Sequence, residues 1–310
     1  MTFRNSVRTG LLASTVTFAL AGSAFAAGCD KVIFSDVGWT DITATTATAS
    51  VVLNALGYET ETKLLSVPVT YTGLAQGDVD VFLGNWMPTM EGDIAAYRDA
   101  GTVETVAENL TGTKYTLATN AAGAALGINT FADIVTHKDA LEGKIYGIEP
   151  GNDGNRLILE RIEADDFGLS AMELVESSEQ GMLSQAMRLD QQGKPVVFLG
   201  WEPHPMNAAM ELTYLSGGEE WFGAEGSVFT NTRKGFVTEC PNTGKLLQNM
   251  TFSLAMENEI MGAILNDGTD ATVAAKTWLA ANPTAWDAWL DGVTTKDGGD
   301  AKAAVAAALQ

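Results

Sequence analysis

Apolar positions fall into two periods along this chain, and the two periods alternate. A short apolar run over residues 31–34 predicts a strand. Small and apolar residues over 43–56, stopped by Gly57, predict a helix. A second strand follows at 59–65, a short helix at 71–76 and a third strand at 79–83, the run "VDVFL". Strand–helix alternation of this kind predicts parallel sheets with crossover helices.

The middle of the chain continues the pattern. Residues 114–119 read as extended, 131–139 as helix, 144–148 as strand and 155–164 as helix. Ser177 and Gln180 have capping-box spacing before a predicted helix at 181–191, and 196–199 predicts another strand. Beyond Phe236 the pattern turns helical, with helices predicted over 243–266 and 270–290. Trp286 and Trp289 would share a face of the second, and with Trp278 they read as packing residues. Trp221 has no place in this scheme, and the Ala- and Gly-rich stretch 297–310 reads as a last helix or a tail.

One pattern repeats. Residues 80–90 read "DVFLGNWMPTM" and 196–206 read "VVFLGWEPHPM": an apolar strand, a glycine, a tryptophan and a proline-bearing loop. Two lobes, each with its own sheet, would give such an echo. A related arrangement opens the chain, where "FSDVGWTD" leads from the first strand to Trp39 and Asp41. Trp39, Trp86 and Trp201 are thus all expected just beyond strand C-terminal ends, where open α/β sheets bind ligands. Gly38, Gly84 and Gly200 would let backbone approach a ligand or turn sharply. Tyr115, where the chain would pass between lobes, and Asn152 in "EPGNDGN" fit the same rim.

Composition narrows the setting. The length of 310 residues suits two ordinary domains or one large α/β unit. Arg4 and Arg8, an apolar run over 11–21 that is too short to span a bilayer, and Ala24-Phe25-Ala26 read as an export signal over residues 1–26. The mature chain is expected to be periplasmic or secreted. Its removal leaves 16 basic against 39 acidic residues, a charge of −23, which repels nucleic acid and anionic lipid and weakly favours cations. The two cysteines, Cys29 and Cys240, most simply form one disulfide in an oxidising compartment. Lipidation of Cys29 is the alternative, although Ala26 stands where a lipobox carries an aliphatic residue. His137 and His204 are the only histidines, too few with two distant cysteines to suggest a metal site.

Three indoles and a phenol at one rim suit a particular ligand. Aromatic faces attract cations, tryptophan most strongly. A quaternary ammonium has no N–H for a carboxylate to accept, so an aromatic box is the chemistry that holds it. Asp41 as acceptor and Asn152 as donor and acceptor would suit an alcohol on the same ligand, whereas a betaine carboxylate would meet like charge at Asp41. Plainer roles exist: a loop tryptophan is commonly a packed hydrophobe, Asp41 sits where an aspartate caps a helix, and Asn152 could serve a turn.

The stretches "FSDVGWTD", "VFLGNWMPTM", "TKYTLATN", "GIEPGNDGN" and "FLGWEPHPMN", in that order, resemble the periplasmic choline-binding proteins of bacterial ATP-binding-cassette transporters, within the quaternary-amine substrate-binding family. The resemblance spans nearly the whole mature chain. It implies a bilobal class II α/β fold of two lobes joined by two crossover segments, closing on its ligand. Lobe 1 would comprise 28–112 and 232–310, and lobe 2 would be 113–231. It implies that Trp39, Trp86, Tyr115 and Trp201 cage the trimethylammonium and that Asp41 and Asn152 meet the hydroxyl. It also implies the Cys29–Cys240 pairing and an ABC permease as partner; no cofactor and a monomer are expected. Acetylcholine, glycine betaine and carnitine are the alternative ligands. A secreted choline-ester hydrolase is the alternative from another class, but no G-x-S-x-G elbow is present and His204 has no evident nucleophile beside it.

Overall fold

A computed structural model describes residues 1–2 and 29–310. The expected export signal therefore lies outside the described residues, apart from its first two. Among the described residues nine strands form the sheet: β1 (Lys31–Asp36), β2 (Glu59–Leu64), β3 (Val81–Met87), β4 (Val103–Asn120), β5 (Lys144–Tyr146), β6 (Glu173–Val175), β7 (Val197–Glu202), β8 (Leu212–Tyr214) and β9 (Gly226–Arg233). Their order is β2-β1-β3-β9-β4-β7-β5-β6, with β8 also on β4.

The expected parallel pairing holds only at the two ends. β1 lies parallel to β2 and β3, and β5 parallel to β6 and β7. Between them β9 runs antiparallel to β3 and β4, and β4 antiparallel to β7. The cause is topological: β4 carries the chain out of the first half and β9 carries it back. β4 pairs with β9 over Val103–Thr113 and with β7 over Lys114–Thr119. Three register shifts interrupt its pairing with β9, and bulges of this kind bend and twist a strand. One strand thereby serves both lobes. The sequence pattern found only its second half, because 103–113 is largely polar, and it missed β9.

The helix Thr40–Ala55 is buried on nearly every side. Its small residues let the helices Leu254–Leu265 and Ala271–Ala281 pack against it. Two of its threonine hydroxyls donate back into the helix, Thr45 to Asp41 O at 3.0 Å and Thr48 to Ala44 O at 2.8 Å, so burial leaves these two satisfied.

Several predicted elements are corrected. The helix expected over 243–266 is two, Pro241–Asn249 and Leu254–Leu265, the second restarted by Ser253 accepting from the Met256 N–H. The helix expected over 270–290 ends at Ala281, just before Asn282-Pro283, where a proline opposes continuation. Trp286 and Trp289 therefore lie in turns, yet both are buried and donate to Leu279 O and Thr251 O. The helix Glu179–Gln191 is capped by Ser178 rather than by a Ser177 box. A disulfide joins Cys29 to Cys240. Its sulfur engaged, Cys29 is not free for lipidation. Among the described residues no helix is long and apolar enough to cross a membrane.

Candidate functional site

Trp39, Asp41, Trp86, Tyr115, Asn152 and Trp201 line one cavity between the lobes, together with Ile148, which the sequence reading did not include. Each arrives by a different piece of local structure. Trp39 follows β1 and precedes the helix Thr40–Ala55, whose first turn supplies Asp41. Gly38 makes that exit with φ +85°, a value only glycine adopts freely. Trp86 and Trp201 are not beyond their strands as expected; each is the next-to-last residue of its strand, β3 and β7. Both precede a cis proline by two positions, Pro88 and Pro203, so the sequence echo corresponds to one shared turn. Tyr115 and Trp201 are directly opposed across β4 and β7, which puts their side chains on one face.

The rings stand as walls. Trp86 and Tyr115 have centroids 5.9 Å apart at 62°, and Tyr115 and Trp201 are 6.2 Å apart at 89°. Phe222 backs Tyr115 at 5.8 Å and 90°. Trp39, Trp86 and Trp201 are only 4–5% exposed. The space between these walls, including solvent at its mouth, is about 250 Å³. It suits a compact head group.

The polar residues are more engaged than the sequence suggests. Asp41 Oδ2 accepts from the Trp86 indole N–H at 2.9 Å, while its Oδ1 is buried with no partner. Burial pushes the Asp41 carboxyl up to about 8; the charge of Glu179 adds to this and the Trp86 N–H opposes it. Glu257, buried in the helix Leu254–Leu265, is itself held well above the usual range, by burial first and then by Asp41. The lining contains one acid and no base. A cation would relieve this crowding of carboxyl groups.

Asn152 does cap a helix: its Oδ1 accepts from the Asn155 N–H at 2.9 Å, at the start of Asp153–Glu163. The same oxygen accepts from the Tyr115 hydroxyl at 3.1 Å, and its Nδ2 donates to Asp153 Oδ1 at 2.9 Å. Capping and lining therefore coexist. Gly154, which sequence reasoning missed, makes this possible, since a Cβ there would lie 2.1 Å from the Tyr115 oxygen. Gly84 and Gly200 have a different use from the one expected. A Cβ on Gly84 would lie 2.7 Å from Ile42 and one on Gly200 2.8 Å from Ala118, so they make room for packing and not for a ligand. Trp221 lies outside the cavity lining, beneath Arg161 at 4.7 Å and edge-on to Phe167.

Two α/β lobes sharing a sheet and enclosing an aromatic cavity define a bilobal solute-binding protein. The chain belongs to the family described as the substrate-binding domain of the ABC-type glycine betaine transport system, which matches residues 30–281. It is thus a transport protein of the substrate-binding class, and membership of that family implies export. A solved ABC-transporter choline-binding protein in complex with choline is 66% identical, with a TM-score of 0.90, covering 91% of this chain and 99% of that one. An ABC-transporter choline-binding protein in an unliganded, semi-closed conformation has the same identity and coverage but a TM-score of 0.83. The glycine betaine/carnitine transport binding protein GbuC of Listeria monocytogenes is 32% identical over 130 residues, 42% of this chain and 43% of that protein.

Proposed function

We propose that this protein captures choline in the periplasm and delivers it to an ABC permease. The observation that carries the proposal is the cavity of three indoles, a phenol, one carboxyl and one amide, with no basic side chain in its wall. The trimethylammonium packs against Trp39, Trp86, Tyr115 and Trp201, each face contributing roughly 0.5–2 kcal/mol. The ligand hydroxyl is directed to Asp41 and Asn152. The cation favours the ionised form of Asp41, whose Oδ2 the Trp86 N–H already holds. A betaine carboxylate would come against Asp41, with Glu179 close enough to raise the charge cost.

Lobe 1 is assigned to 28–112 with 232–310, and lobe 2 to 113–231. The change of partner along β4 between Thr113 and Lys114 supports the first boundary. The pairing of all of β9 with β3 and β4 supports moving residues 226–231 to lobe 1. Removal of residues 1–26 on export leaves Cys29 near the new N-terminus. No chemistry on the ligand is part of this reading: His204 donates to Glu179 through one nitrogen and accepts from the Met206 N–H through the other, so both of its ring nitrogens are engaged. The 66% identity to a choline-binding protein over 91% of the chain supports the same ligand.

Calorimetry with choline, acetylcholine, carnitine and glycine betaine tests this. Choline binds most tightly. Tighter binding of glycine betaine, or no heat with choline, overturns the assignment.

A further inference from the structure

The helix Thr40–Ala55 starts without a cap of its own. Its N-cap residue is Trp39, whose side chain makes no capping bond, and N-cap positions usually carry a short oxygen-bearing side chain. The missing acceptor comes from the other lobe. Glu179 Oε2 accepts from the Thr40 N–H at 2.9 Å, and Oε1 accepts from the Thr40 hydroxyl at 2.5 Å. Glu179 opens the helix Glu179–Gln191, 139 residues away in sequence, and is 0% exposed.

The same carboxylate reaches a second wall. His204 Nδ1 accepts from the Met206 N–H at 3.0 Å, so the ring hydrogen sits on Nε2 and is donated to Glu179 Oε1 at 3.3 Å. The His204 ring stands 4.9 Å from that of Trp201. Glu179 therefore bonds on one side to the residue between Trp39 and Asp41, and on the other to the ring behind Trp201.

We propose that Glu179 is the closure latch: opening the cleft breaks its two bonds to Thr40, so it sets how long a ligand stays. This rests on the reading of the cavity as a choline site. Closure also brings the Glu179 charge toward Asp41, a repulsion that a cation in the cage offsets.

The test uses Glu179→Gln and Thr40→Val, with Thr40→Ser retaining the hydroxyl, and choline as the probe in stopped-flow tryptophan fluorescence. Each of the first two variants raises the dissociation rate roughly 10- to 100-fold, as loss of a charge-assisted bond would. The association rate stays within about threefold. Thr40→Ser restores the slow rate, and the Glu179→Gln/Thr40→Val double variant is no faster than the faster single. An unchanged dissociation rate with a lowered melting temperature makes Glu179 merely structural and overturns the latch, as does additivity in the double variant. Spin-label distances between the lobes read the latch without ligand, and both variants reduce the closed fraction. If the parent protein fails to bind choline yet the variants still lose the closed form, the ligand assignment falls and the latch stands. If lobe distances do not change in either variant, the latch falls.

Discussion

Trp86 gives the cage two things, a ring face and an N–H, and two substitutions separate them. Trp86→Phe keeps an aromatic face but deletes the donor whose 2.9 Å bond holds Asp41 Oδ2. Asp41 Oδ1 is already without a protein side-chain partner, so the variant strips Oδ2 of its side-chain donor as well. A hydrogen bond to a charged group contributes about 1.5–3 kcal/mol, which translates to choline binding weakened roughly 10- to 150-fold. Trp86→Ala also removes the face, a further loss of roughly 0.5–2 kcal/mol. The assay is calorimetry at about pH 9 and again at about pH 6, either side of the raised Asp41 value. The Phe variant's deficit is largest at high pH, where Asp41 is ionised and needs the donor, and shrinks when a proton satisfies it. If Trp86→Phe binds within about threefold of the parent at the higher pH, the indole N–H does not support Asp41 and the electrostatic reasoning is wrong.

Other outcomes follow from the same geometry. Asp41 is raised from an ordinary 3.8 to about 8, so between those values the native protein holds a proton that the unfolded chain has lost. Stability of the ligand-free protein therefore falls as pH rises across that window, while choline affinity rises and a proton is released on binding; melting scans and calorimetry in two buffers of different ionisation enthalpy check both, and a flat affinity profile contradicts them. Asp41→Asn narrows the preference for choline over glycine betaine, measured as the ratio of their dissociation constants; a ratio that widens counts against like-charge exclusion. Gly154→Ala displaces the Tyr115 hydroxyl and weakens choline binding about tenfold, as loss of one positioned wall contact would, and calorimetry reads this directly. Replacing Cys29 and Cys240 by serine removes a bond between residues 211 apart; it costs about 5 kcal/mol on the chain-entropy account, seen as a lower melting temperature with choline affinity unchanged.

The residues around the cavity were legible because each lies in a short motif with its own local logic: a strand end, a glycine or proline, an indole. Tyr115 was readable from its place between lobes. The long-range supports were not. Glu179 is an ordinary acid at a helix start, and nothing near it in sequence indicates that Thr40 lies against it. Glu257 reads as part of a helical face, and its approach to Asp41 depends on how three helices pack. Gly154 looks like turn punctuation until the tyrosine hydroxyl is placed beside it. In the fold, local periodicity found the outer strands, but β9 and the first half of β4 carry mixed polar residues, and their pairing is set by the chain's return between lobes. Trp286 and Trp289 show the reverse case: their burial followed from residue type, although the helix expected to present them ends before Pro283.

The central claim is that aromatic faces recognise charge and not merely shape. It is tested by comparing choline with 3,3-dimethyl-1-butanol, in which a carbon replaces the nitrogen and every other contact is kept. Calorimetry on the same preparation should show the neutral analogue binding at least about 100-fold more weakly, since four faces near 1 kcal/mol each would together give about a thousandfold. Equal affinity for the two ligands would contradict the account.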